Sequence, residues 1–138
     1  MKIILDVSAA FAVVTGAPGD RQFLPSLESA AQVSAPDLFY SEATNAAWKF
    51  HHIEGVAPDE SLKLAEKVIG LVDIFFPTGP LWRAALELAC RLEHPAYDCY
   101  YLVLAQQLEA TLLTSDKRLV RKAKILGIST IGPEGPTS

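Results

Sequence analysis

Hydrophobic positions along this chain follow two rhythms. Short apolar runs at residues 2–5, 32–35, 73–76, 111–114 and 129–131 read as strands. Ile3-Ile4-Leu5 shows no polar alternation, as in a strand buried on both faces. Pro36 and Pro77 close the second and third runs. Elsewhere apolar residues recur at three- and four-residue spacing, the signature of amphipathic helices. The clearest stretch covers residues 37–54, with Phe39, Ala43, Ala46, Ala47 and Phe50 on one face. Asp37 is placed to cap it and Gly55 to stop it. Pro58 opens the next helix, with Asp59 and Glu60 at the positive end of its dipole. Further helices are predicted over 79–92 and 95–108, and from a Ser115 cap to just before Gly127. Shorter ones fall at 8–14 and 22–31. Strands alternating with helices imply parallel βαβ units, hence an α/β fold with helices on both faces of the sheet. Ligands of such folds bind beyond the carboxyl ends of the strands, near a switch in strand order.

The 138 residues suit one domain, assigned to residues 1–132. The Gly/Pro-rich end, residues 133–138, reads as a mobile tail, and 15–19 as a second loose segment. Half the residues are hydrophobic and a fifth are charged, which excludes a disordered chain. With 12 basic against 16 acidic residues the formal charge is −4, which argues against a broad basic surface for nucleic acid. No stretch approaches the roughly 20 apolar residues of a membrane span. Asp6 interrupts the apolar run that a signal peptide would need whole, so a cytoplasmic protein is expected. Cys90 and Cys99 form no Cys-x-x-Cys pair and are expected as reduced thiols.

Charge placement changes this picture more than net charge does. Asp6 and Asp116 each sit just past a predicted strand. Glu42 lies early in its helix, sharing a polar stripe with Asn45 and Lys49. Asp98 lies near the start of another helix, on a face with Tyr101, Leu102 and Ala105, and is expected to be buried. Taken singly, each acid has a plain reading as a cap, a dipole partner or a solvated side chain. Parallel topology, however, gathers strand ends and helix starts on one rim. Clustered carboxylates repel, so either some stay protonated or hard divalent cations neutralise them. No His or Cys other than Cys99 is expected nearby, which disfavours zinc. Such a cluster holding Mg²⁺ suits phosphoryl-transfer chemistry.

Four stretches, Ile4 to Ala9, Ser41 to Lys49, Tyr97 to Ala105 and Leu112 to Leu119, resemble the PIN-domain nucleases, most closely the VapC toxins of toxin–antitoxin pairs. The resemblance implies a three-layer α/β/α sandwich around a central parallel five-stranded sheet. It implies an endoribonuclease dependent on one or two Mg²⁺ or Mn²⁺ ions, leaving 5′-phosphate and 3′-hydroxyl ends. Asp6, Glu42, Asp98 and Asp116 match the family's acidic quartet, and Ser8, Asn45, Thr114 and Ser115 its supporting polar positions. The implied partners are RNA, a second copy of the chain and a cognate antitoxin. The alternative is a PIN-like RNA-binding or protein-interaction module without catalysis.

Lys117, Arg118, Arg121, Lys122 and Lys124 form the densest basic segment. It reads equally as a strip holding phosphates beside Asp116 or as the solvated face of a helix. Lys49 is a further candidate RNA contact. Trp48 and Trp82 are expected in the core or an interface, and Tyr97, Tyr100 and Tyr101 as packing residues. His51 and His52 are about 100° apart on a helix and cannot face one metal.

Overall fold

The computed structural model describes residues 1–17 and 20–137. Five strands run parallel: β1 (Lys2–Leu5), β2 (Gln32–Pro36), β3 (Ile74–Phe76), β4 (Thr111–Leu113) and β5 (Thr130–Gly132). They lie in the order β3-β2-β1-β4-β5. Seven α-helices are described: α1 (Val7–Thr15), α2 (Leu24–Ser29), α3 (Leu38–Glu54), α4 (Pro58–Ile69), α5 (Trp82–Leu92), α6 (Ala96–Leu108) and α7 (Lys117–Ile125). The predicted α/β class and its central parallel sheet are thus present. The loose segment expected at 15–19 is described only in part. Thr15 closes α1 and Gly16 follows at φ 68°, while Pro18 and Gly19 lie outside the described residues.

The composition of residues 133–138 predicts a mobile end. Within it, β6 (Gly135–Thr137) turns back and pairs antiparallel with β5, in register Thr130↔Thr137 and Gly132↔Gly135. The open edge of β5 offers unpaired N–H and C=O groups, and a short hairpin satisfies them. Pro136 is tolerated there because β6 is itself an edge. Ser138 lies outside the described residues.

Ile3, Ile4 and Leu5 are all fully buried. Successive strand side chains point to opposite faces, so both faces of the sheet are covered. Helix α6 packs on β1, β2 and β4, and α5 packs on α6. Helices α1, α3 and α4 pack against one another, and α7 lies against β5. Helix α6 buries Cys99 and the run from Tyr101 to Ala105. No helix among the described residues is long and apolar enough to cross a membrane.

Two helix starts differ from prediction. Asp37 makes no capping bond; its Oδ1 accepts from the Thr78 backbone N–H at 3.2 Å, tying α3 to the segment after β3. Helix α7 is capped by Asp116, not Ser115. The Asp116 carboxylate accepts from two backbone N–H groups of the first turn, and Ser115 stands one residue too early to do so.

Strand order decides where a ligand would sit. The chain leaves β1 toward β2 and β3 on one side, then returns to place β4 on the other. The switch lies between β1 and β4, whose last residues Leu5 and Leu113 are in register. The Asp6 N–H extends this pairing, donating to Leu113 O at 3.1 Å. Residues just past these two strands therefore meet at the crevice where α/β folds bind ligands.

Candidate active site

Asp6 leaves β1 in extended conformation and caps α1, accepting from the Ala9 N–H at 2.9 Å. The plain reading of this acid as a cap is therefore correct, and it is not the whole account. The same Oδ1 accepts from Ser8 Oγ at 2.7 Å, and Oδ2 accepts from the Thr114 hydroxyl. Asp6 is only 7 % exposed, and burial raises its pKa to about 6. The hydrogen bonds from Thr114, Ala9 and Ser8 oppose that rise, and the charge of Asp98 adds to it.

Ser8 and Thr114 join the two strand ends. Their hydroxyl oxygens are 3.4 Å apart, and Ser8 Oγ accepts from the Ser115 N–H at 2.9 Å. Thr114 Oγ1 accepts from the Asp116 N–H at 3.0 Å while donating to Asp6. A chain of hydrogen bonds thus runs from Asp6 through Thr114 to Asp116. Ser115 enters through its backbone.

Glu42 is half-buried on α3, and Tyr101 of α6 donates its hydroxyl to Glu42 Oε1 at 2.7 Å. Burial raises the Glu42 pKa to about 7; the Tyr101 hydrogen bond opposes this, while Asp98 and then Asp6 add to it. The Tyr101 hydroxyl is itself held protonated far above its ordinary range, first by burial and then by Glu42. Asp98 stands in the first turn of α6. Its apolar face predicts burial; the side chain is instead 29 % exposed, and its Oδ2 lies 2.7 Å from His94 Nε2.

Asp6, Glu42 and Asp98 therefore share one electrostatic environment. Asp116 meets the others through Thr114, whose Oγ1 accepts from the Asp116 N–H. Among the described residues no three His, Cys, Asp or Glu side chains already converge at metal-ligand spacing. The donor chemistry nonetheless fits a hard divalent cation: oxygen ligands, two of them held above the ordinary carboxyl range by burial and mutual repulsion. Cys99 is not a competing ligand. It is buried, and its thiol is pushed up to about 11 by burial and then by Asp98.

The remaining candidates divide. Asn45 and Lys49 are exposed on α3, one and two turns beyond Glu42. Helix α7 buries Leu119 and Ala123 and exposes Lys117, Arg118, Arg121 and Lys124. Lys117 Nζ pairs with Glu134 Oε1 at 3.4 Å, while Arg118, Arg121, Lys122 and Lys124 form no ion pair among the described residues. His51 Nδ1 bonds Val56 O at 2.8 Å, and His52 stacks on Trp48 with centroids 4.6 Å apart. Trp48 and Trp82 are half exposed, so neither is a core residue. Arg83 lies over the Trp82 ring.

The expectation that no histidine lies near the acids is wrong. His94 precedes Pro95 outside the helix, so helical periodicity does not flag it. Its signal is the four-residue spacing to Asp98. Tyr101, which the helical spacing marks for packing, is fully buried and also carries the hydroxyl that meets Glu42. Its signal is its place three residues after Asp98, on the same face.

The PIN domain family model matches residues 3–125. Ribonuclease VapC3 of Pyrobaculum aerophilum is 25 % identical over 124 residues, covering 88 % of this chain and 95 % of its relative. The crystal structure of PAE2754 from Pyrobaculum aerophilum superposes with a TM-score of 0.74 at 24 % identity, covering 97 % of this chain and 93 % of that one. That likeness bears on the fold. With a family match that runs from β1 to the end of α7 and includes all four acids, the chain belongs to the PIN domain family.

Proposed function

We propose that this chain is an endoribonuclease dependent on Mg²⁺ or Mn²⁺, and the toxin of a toxin–antitoxin pair. The observation that carries the reading is the meeting of Asp6, Glu42 and Asp98 in one electrostatic cluster at the β1–β4 switch, with Asp116 joined to it through Thr114. The name of the relative, Ribonuclease VapC3, supports the choice of RNA and of the toxin role.

The four acids would hold one or two ions. When bound, these would acidify the attacking water and stabilise charge on the leaving oxygen. The protein's own part is placement. Thr114 and Ser8 fix the Asp6 carboxylate, and Tyr101 fixes Glu42. Arg118, Arg121 and Lys49 are exposed near enough in sequence to the acids to hold the RNA backbone, with Lys117 reaching it once released from Glu134. Exposed Leu62 and Leu86, on α4 and α5, offer apolar surface for a second copy or an antitoxin.

Purified protein should cut RNA only when Mg²⁺ or Mn²⁺ is added, and Asp6→Asn or Asp98→Asn should stop it. Undiminished cutting by both variants refutes the proposal. Failure of the wild-type protein to bind Mn²⁺ at millimolar concentration, measured by calorimetry, would instead place the chain among non-catalytic PIN-like modules.

A further inference from the structure

His94 is an unusual residue for its position. It sits between α5 and α6, with its side chain 1 % exposed. The backbone delivers it rigidly. Glu93 ends α5 in the left-handed region at φ 53°, and the N–H groups of Glu93 and His94 both donate to Ala89 O. Pro95 then starts α6, so Asp98 follows within the first turn.

Among the described residues only one polar group hydrogen-bonds the ring. Nε2 lies 2.7 Å from Asp98 Oδ2, and a carboxylate can only accept, so Nε2 carries the proton. Nδ1 is buried with no hydrogen-bond partner among the described residues. A buried unpaired nitrogen costs free energy, so packing alone gives no reason for an imidazole here. A purely structural histidine would anchor its second nitrogen to the backbone; this one spends its single bond on Asp98. Asp98 in turn has no other side-chain hydrogen bond among the described residues, and its charge is felt by both Asp6 and Glu42.

We infer that His94 is a positioning residue for Asp98: its Nε2–H holds Oδ2 so that the other carboxylate oxygen stays turned to the acidic crevice, ready for a divalent ion. The inference rests on the metal-dependent reading above. Partners that orient a ligating carboxylate strengthen metal binding, typically by ~10–100-fold.

The test compares His94→Gln with His94→Asn. Glutamine places an N–H near the position of Nε2, whereas asparagine, one methylene shorter, reaches only the position of Nδ1. Mn²⁺ affinity is measured by calorimetry, and folding by metal-free thermal unfolding. His94→Asn should bind Mn²⁺ ~10–100-fold more weakly, while His94→Gln should recover most of that loss. Should His94→Asn fail to fold, His94→Leu supplies the same contrast with much of the ring's bulk retained. Wild-type affinity in the variant that lacks the donor, or equal loss in the glutamine variant, overturns the positioning role while leaving the metal reading intact. Absence of Mn²⁺ binding by the wild-type protein overturns both.

Discussion

The two halves of the crevice are built differently. On the strand side, Asp6 and Asp116 cap α1 and α7, and hydroxyls of Ser8 and Thr114 tie them together. Each carboxylate there accepts backbone N–H groups. On the helix side, Glu42 and Asp98 accept no backbone N–H among the described residues; one phenol and one imidazole hold them. The strand side is over-determined and local, the helix side depends on single long-range or loop-borne partners. A carboxylate bonded to several donors keeps its geometry when one is removed, whereas one bonded to a single donor does not. The helix side is therefore where positioning is most easily broken.

Mutations should separate the halves. The largest effect expected is on activity: Asp6→Asn keeps the cap but removes a charge, and RNA cleavage should fall by ~10²–10³ or more, the usual loss when one preorganised electrostatic group is removed. The metal-free melting temperature at neutral pH should not fall with it, because asparagine caps as well as aspartate and carries no buried charge.

Acidity comes next. Folded Asp6 and Glu42 titrate at about 6 and about 7, above their ordinary 3.8 and 4.5. The folded state therefore binds more protons than the unfolded chain between those limits, and metal-free stability must fall as pH rises from about 4 to about 7. For buried Asp6 alone the loss is on the order of 3 kcal/mol. Denaturant unfolding across that range measures it. Added Mn²⁺ should offset the loss at the high-pH end, and a flat metal-free profile would contradict the burial of these carboxyls.

Thr114→Val tests the strand side. It deletes the hydroxyl shared by Asp6 and the Asp116 N–H, and should cost about 1–3 kcal/mol in urea unfolding. Tyr101→Phe tests the helix side. The Tyr101 bond lowers the Glu42 pKa, so its loss should move Glu42 further up, visible by NMR titration of the metal-free protein. A downward shift would refute the donor role.

The smallest effect concerns α7. Arg118→Ala and Arg121→Ala together should weaken RNA binding and flatten its dependence on log salt by ~0.7 for each phosphate no longer neutralised. Lys117→Ala should do less, since Glu134 already occupies that side chain.

Much of this is legible from short-range pattern. The five parallel strands and the main helices follow from apolar spacing and from Gly and Pro punctuation. The four acids stand out because each lies at a strand end or helix start. The failures share a cause. Ser115 and Asp116 are both good caps in sequence, and only the approach of the chain to Ser8 and Thr114 selects the second. Nothing local marks residues 135–137 as a strand, and only the edge of β5 gives them one to pair with. Tyr101 gains its role from a side chain 59 positions away, and His94 from a spacing to Asp98 that crosses a helix boundary.

Sequence alone determined what is decided within about one helical turn: which segments are helix or strand, and which carboxylates stand at their ends. Tertiary structure decided which of those ends meet. Asp6 and Thr114 are 108 positions apart, and Glu42 and Tyr101 59 apart, yet each pair shares a hydrogen bond. Strand order brings β1 beside β4, and packing brings α6 across the sheet. Burial at that junction then raises the two carboxyls, an effect no local pattern carries, because desolvation depends on everything that surrounds a group rather than on its neighbours along the chain.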